Sequence, residues 1–151
     1  MKEIVIAHEQ FTFLDVGSGK GRALLLASDY PFHAIVGIEL LPELHRQAFQ
    51  NIARYRSPSQ QCFSIDSRCG NARDLEFPSG PLVIYLFNPL PEPDLAIFVS
   101  RLEESLRAHP RPCCILYHYP LLEHVLSRSR WLARIAGTRQ YSIFVASAPA
   151  H

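Results

Sequence analysis

The chain has 151 residues, 48% of them hydrophobic and 19% charged. That is enough length and apolar content to bury one core, and it excludes a disordered or collagen-like chain. Its 15 basic and 14 acidic side chains leave a formal charge of +1, so no global field draws it to phosphate backbones or anionic lipid, and nucleic acid is not a favoured partner.

The opening apolar residues Ile4 to Ala7 are cut off by His8 and Glu9 before they form a signal core, and no apolar run is long enough to span a bilayer. A cytoplasmic chain with no membrane partner is expected. One domain is expected over 11–147, after a short arm (1–10) and before a tail (148–151). The four cysteines, Cys62, Cys69, Cys113 and Cys114, have no CxxC spacing and read as reduced, mostly apolar residues rather than metal ligands.

In chain order, Phe11 to Val16 reads as a buried strand, followed by a glycine-rich turn and a helix from Ala23 to Ala27. Ala34 to Glu39 predicts a second buried strand, and Pro42 to Arg54 a helix with proline in its first turn and Leu44, Ala48 and Ile52 at four-residue spacing. Gln61 to Asp66 predicts a third strand, and Leu82 to Phe87, bounded by Ser79-Gly80-Pro81 and Asn88-Pro89, a central fourth. Helical spacing of Leu95, Phe98, Val99, Leu102 and Leu106 predicts a helix from Asp94, its N-cap, to Ala108. A strand at Cys113 to Tyr117, a short helix at Leu121 to Leu126 and a hairpin of Trp131 to Ala136 with Ser142 to Ala146 complete the chain. The alternation selects a doubly wound α/β fold: a mostly parallel seven-stranded sheet, helices on both faces and an antiparallel C-terminal edge hairpin. Its ligand should lie beyond the carboxyl ends of the strands.

The turn after the first strand, Asp15-Val16-Gly17-Ser18-Gly19-Lys20-Gly21-Arg22, decides between ligands. Its glycines allow positive φ and close backbone approach. A phosphate loop needs Ser or Thr after Gly-Lys, and here Gly21 follows Lys20; a dinucleotide loop needs glycine where Arg22 stands. An acid just before the loop repels a pyrophosphate and welcomes an ammonium group, as carried by S-adenosylmethionine.

The segment from Asp15 to Gly21 resembles the first motif of the class I S-adenosylmethionine-dependent methyltransferases. Gly37-Ile38-Glu39 resembles the acid that ends their second strand, Cys69-Gly70-Asn71-Ala72 their adenine-side segment, and Phe87-Asn88-Pro89-Leu90-Pro91 the motif that ends their fourth strand. The resemblance runs from Phe11 to about Ala146 and implies that S-adenosylmethionine is the cofactor. It implies cofactor contacts from Asp15, Gly17, Ser18, Gly19, Gly21, Glu39, Asn71, Ala72 and Asn88, with Asn88 also catalytic. Pro89 and Tyr119 fall on the acceptor side. Asn71 stands where the family often has Asp, but its amide oxygen still accepts a hydrogen bond. The Asn-Pro motif resembles that of amine-methylating enzymes, so the expected acceptor is a nitrogen of a small molecule or protein side chain. The non-SET histone lysine methyltransferases show a thinner likeness.

Family members usually carry helices ahead of the first strand, whereas ten residues precede Phe11 here. An open site, a cover borrowed from another subunit in a homo-oligomer, and a cofactor-binding module without turnover are the alternatives this raises. A nicotinamide-dependent oxidoreductase is a further one. Residue by residue, Asp15 as a helix cap, Glu39 as a solvated strand end, the glycines as a bare turn and Asn88 as a turn residue stay open. Tyr117, His118 and Tyr119 fit either an acceptor pocket or strand-end packing. Lys20 and Arg22 read as solvated helix-start residues outside the site.

Overall fold

The computed structural model describes residues 6–88 and 90–146. Among them the elements are β1 (Thr12–Val16), α1 (Arg22–Ala27), β2 (Ala34–Glu39), α2 (Pro42–Arg54), β3 (Ile65–Cys69), β4 (Leu82–Leu86), α3 (Glu92–Ala108), β5 (Cys113–His118), α4 (Glu123–Ser127), β6 (Leu132–Gly137) and β7 (Tyr141–Ala146). The strands form one sheet in the order β3-β2-β1-β4-β5-β7-β6, with β7 antiparallel to both neighbours and the pairs from β3 to β5 parallel. Strand order reverses between β1 and β4, which opens a crevice at their carboxyl ends.

Every residue of β1 is buried, as its central place requires. Leu14 and Val16 point to the face covered by α3 and α4, where Leu95, Phe98, Leu102 and Leu106 meet Ile84, Leu86, Ile115 and Phe144. Phe13 and the second face meet Leu24, Phe32, Ile35 and Val83. The α2 bounds match the sequence reading, and so do those of β2. The four cysteines are free thiols.

Six elements are shifted by one residue at one end or both, and three differ from expectation by two or more. The third strand forms at Ile65–Cys69 rather than Gln61 to Asp66, because the amides of Gln61 and Cys62 both donate to the Ser28 carbonyl (2.7 and 3.0 Å) and pairing with β2 begins only at Ile65 opposite Ile35. Helix α3 begins at Glu92, after Pro91, and has no side-chain cap; Asp94 lies inside its first turn, 3.5 Å from the Arg73 guanidinium. Helix α4 is displaced to Glu123–Ser127, since Tyr119 to Leu122 is spent on a turn in which the Leu121 amide donates to the Tyr119 carbonyl.

Helices lie on both faces, but the second layer is shorter than the sheet. On the α1 face, α1 packs on β1 and β2, and α2 on β2 and β3. Farther along that face Tyr85, Cys114, Leu116, His118, Tyr141, Ile143 and Val145 are half-exposed. Stability therefore rests mainly on the α3 face. Phe98→Ala should cost about 3 to 5 kcal/mol, read from urea unfolding, because Phe98 is fully buried at the centre of that layer.

Candidate functional site

The glycine turn is shaped by backbone. Gly17, Gly19 and Gly21 have φ of 76°, 55° and 89°, a region that costs other L-residues free energy. The amides of Gly17 and Ser18 both donate to the Ile38 carbonyl at 2.9 and 3.1 Å, and that of Gly21 to the Ser18 carbonyl at 2.9 Å. The turn lies flat against β2 at Gly37. A Cβ there would sit 2.6 Å from Ser18 Oγ and 2.8 Å from Leu24 Cδ1, so only glycine lets loop and helix approach this closely.

Glu39 secures the same turn from the end of β2. Its Oε1 accepts from the Gly19 amide and its Oε2 from the Leu41 amide, both at 2.9 Å. It is buried, which sets aside a solvated strand end. Asp15, opposite Gly37 in the sheet register, is on the same face and 4% exposed, and it makes no hydrogen bond with the described residues. It does not cap α1, whose N-cap is Gly21. Burial, with the Glu39 charge second, pushes its carboxyl up to about 7. The Ser18 hydroxyl oxygen is also buried without a partner. Buried polar groups left unmatched in this way are rare in a finished fold.

These groups open into a cleft of about 440 Å³ lined by Asp15, Gly17, Ser18, Arg22, Tyr85 and His118, with Phe87 and Leu26 among its apolar walls. A second, apolar cavity of about 340 Å³, lined by Phe13, Leu26, Tyr30, Phe32 and Tyr85 among others, shares that wall. Arg22, Tyr85, Phe87 and Leu26 were not singled out from the sequence as site residues. Arg22 looked like an ordinary helix start, and the apolar three looked like core.

The remaining expected residues lie at neighbouring strand ends. Asn71 and Ala72 follow β3, whose Cys69 pairs with Glu39, and the Gly70 amide donates to the Glu39 carbonyl at 3.0 Å. Ala72 is buried, and the Asn71 side-chain oxygen accepts from the Arg73 amide at 3.0 Å, capping a short turn at Ala72–Asp74. Asn88 bridges two loops: its Nδ2 donates to the Tyr119 carbonyl at 2.6 Å, and its Oδ1 accepts from the Tyr117 hydroxyl at 3.0 Å. Tyr117 is fully buried, so for this residue strand-end packing is correct. Tyr119 is 48% exposed. Pro89 lies outside the described residues.

Residues 14–88 match a family model described as a methyltransferase domain. The curated proteins give no match to the sequence. Among solved structures, the PH0226 protein of Pyrococcus horikoshii OT3 is similar at 14% identity and TM-score 0.62, over 89% of this chain and 80% of its own. An RNA methyltransferase of Salinibacter ruber in complex with S-adenosyl-L-homocysteine is similar at 18% identity and TM-score 0.58, over 95% and 84%. A ribosomal protein L11 methylase of Lactobacillus delbrueckii subsp. bulgaricus is similar at 15% identity and TM-score 0.57, over 92% and 70%. Residues 14–88 thus carry a methyltransferase domain, and the whole sheet has the Rossmann-like fold of these structures.

Asp15 gives the site a pH signature. Its ordinary value is 3.8 and its folded value about 7, so the folded state holds an extra proton between the two and stability falls as pH rises through that window. Asp15→Asn should therefore change urea stability little at pH 4 and raise it at pH 8, on the order of 4 kcal/mol. A loss of stability at pH 8 would contradict the burial cost assigned to this carboxylate.

Proposed function

We propose that the protein transfers a methyl group from S-adenosylmethionine to a nitrogen of a small molecule or protein side chain, using 11–147 as a single cofactor-binding domain in the cytoplasm. The observation that carries the site assignment is Asp15, a buried residue with no hydrogen bond to the described residues, beside the unmatched Ser18 hydroxyl in the cleft at the crossover between β1 and β4. A buried carboxylate without a donor fits a ligand that brings an ammonium group, and it fits a pyrophosphate badly.

In this reading Asp15 holds the amino-acid end of the cofactor, and the amides of Gly17 to Gly21 let its body approach the backbone. Glu39 has lone pairs beyond the two that accept from Gly19 and Leu41, and these serve the ribose hydroxyls. Asn71 and Ala72 flank the adenine, with the Asn71 amide nitrogen as a donor because its oxygen is engaged by Arg73. When bound, the cofactor supplies a methyl group already activated on a sulfonium. The protein's task is then to orient the acceptor and exclude water. No nucleophilic side chain is required.

Asn88 is proposed as the positioning group between donor and acceptor. Its side-chain oxygen is taken by Tyr117, so the direct contact to the acceptor N–H passes to its backbone carbonyl. A formal charge of +1 gives no electrostatic reason to prefer nucleic acid. No helix among the described residues is long and apolar enough to cross a membrane.

Calorimetry with S-adenosylmethionine and S-adenosylhomocysteine tests this reading directly. Wild-type affinity for the methyl donor should rise from pH 6 to pH 8 as Asp15 ionises, and Asp15→Ala should weaken it about 10- to 100-fold at pH 8, the loss of one buried charge-assisted contact. Unchanged affinity in that variant removes the role of Asp15. Tight binding with no transfer of a labelled methyl group to small-molecule amines or protein lysines would favour a module without turnover.

A further inference from the structure

The acceptor end of the cleft has its own chemistry. Tyr85 Oη lies 3.1 Å from His118 Nδ1, and both residues line the cleft with Asp15 and Ser18. His118 stacks on Tyr119 with ring centroids 4.6 Å apart and planes 17° apart, and Phe87 stands 5.0 Å from His118 and 5.8 Å from Tyr119. Phe87 is 52% exposed and Tyr119 48%, a large uncovered aromatic surface at the mouth of a polar cleft. Asn88 and Tyr119 have φ of 42° and 49°, the described non-glycine residues with positive φ. Such strain persists only where surrounding contacts enforce it, and it concentrates at functional sites.

Resting on the methyltransferase reading, we infer that His118, oriented by Tyr85 and walled by Phe87 and Tyr119, accepts the proton released when a planar heteroaromatic ring nitrogen is methylated in this cleft. Tyr85 is a positioning residue. Its hydroxyl can accept from Nδ1–H, and this fixes the tautomer whose Nε2 lone pair is free. Burial and the nearby Asp15 hold the Tyr85 phenol above its usual range, so it stays a neutral partner. The groups facing His118 are Asp15 from β1, Arg22 from α1, Tyr85 from β4 and Tyr141, its register partner on β7. Flat rings suit the Phe87 and Tyr119 faces better than a flexible alkylamine does.

The step balances without a further reagent. The lone pair of one ring nitrogen forms the N–C bond, and the C–S bond breaks with its electron pair left on the sulfur of S-adenosylhomocysteine. The proton on the other ring nitrogen passes to His118 and from there to solvent. An azole with one ring N–H is the simplest acceptor of this class.

The test uses S-adenosylmethionine with benzimidazole as the ring acceptor and n-hexylamine as the flexible one. Benzimidazole should be methylated in preference and, at S-adenosylmethionine concentrations that saturate the enzyme at every pH so that Asp15 no longer limits cofactor binding, kcat/KM for benzimidazole should rise with pH on a single ionisation. His118→Gln should lower kcat about 100-fold and abolish that ionisation, with S-adenosylhomocysteine affinity unchanged within about twofold. Tyr85→Phe should move the ionisation and lower kcat with little effect on KM, whereas Phe87→Leu and Tyr119→Leu should raise KM for benzimidazole. Equal or better use of n-hexylamine, or an unchanged pH profile in His118→Gln, overturns the inference. Binding is read separately from the His118 imidazole nitrogen shifts of the S-adenosylhomocysteine complex titrated with benzimidazole. A shift weakened by Tyr119→Leu supports the ring pocket, and no shift in a normally formed complex overturns it while leaving the methyltransferase reading intact. Failure of S-adenosylhomocysteine itself to bind overturns the cofactor assignment instead.

Discussion

Two carboxylates end adjacent parallel strands on one face of the sheet, and the protein treats them in opposite ways. Glu39 is tied to the backbone through both oxygens, one on the Gly19 amide and the other on the Leu41 amide, so it locks the glycine turn against β2. Asp15 is at least as buried but has no hydrogen-bond donor, and Glu39 adds like-charge repulsion. One acid is held by the turn it braces and the other has no hydrogen-bond donor among the described residues. Burying a carboxyl without a partner costs stability, so the strand end carries a local energetic penalty that the surrounding core must offset.

The geometry that permits this pairing is set by a residue with no side chain. Gly37 is where the Ser18 turn and Leu24 of α1 press onto β2, which fixes both the height of the loop above the sheet and the buried position of Ser18. In the sequence Gly37 is visible only as the lead-in to an acid. Its steric role depends on a residue 19 positions earlier folding over it, and no local pattern encodes that contact. The strands and helices around the site were far more legible. Ala34–Glu39 and Pro42–Arg54 could be read with their observed bounds because a continuous apolar run and a first-turn proline are local signals.

Legibility failed where tertiary contacts override local pattern. Ile65–Cys69 is an edge strand whose residues past Ile65 are mostly polar, so the more apolar stretch before it drew the assignment. Asp94 had the chemistry of a cap, but Pro91 started the helix earlier and left Asp94 facing Arg73. Asn88 was legible as a site residue and its contacts were not. Its amide is held between Tyr117 and the Tyr119 carbonyl, a link across 31 residues. The partner of His118 was equally hidden, since Tyr85 reads as one more apolar position in a buried strand.

The Asn88 link explains how the aromatic rim can exist at all. Phe87 and Tyr119 are large and half-exposed, and each belongs to a short loop that would otherwise relax toward a less strained backbone and bury its ring. Instead the Asn88 side chain holds the two loops at a fixed separation, and the Tyr119 amide is tied to the Gln140 carbonyl at 2.6 Å. Positive φ at Asn88 and Tyr119 is then the local cost of a fixed spacing, offset by four hydrogen bonds made at those two residues. Because β4 and β5 are anchored on their other face by the α3 core, the rim is carried on strands packed into the larger of the two cores. The shorter helical layer on the α1 face makes this necessary, since strand-borne side chains form the cleft wall beyond the reach of α1 and must be positioned by the loops that end their own strands.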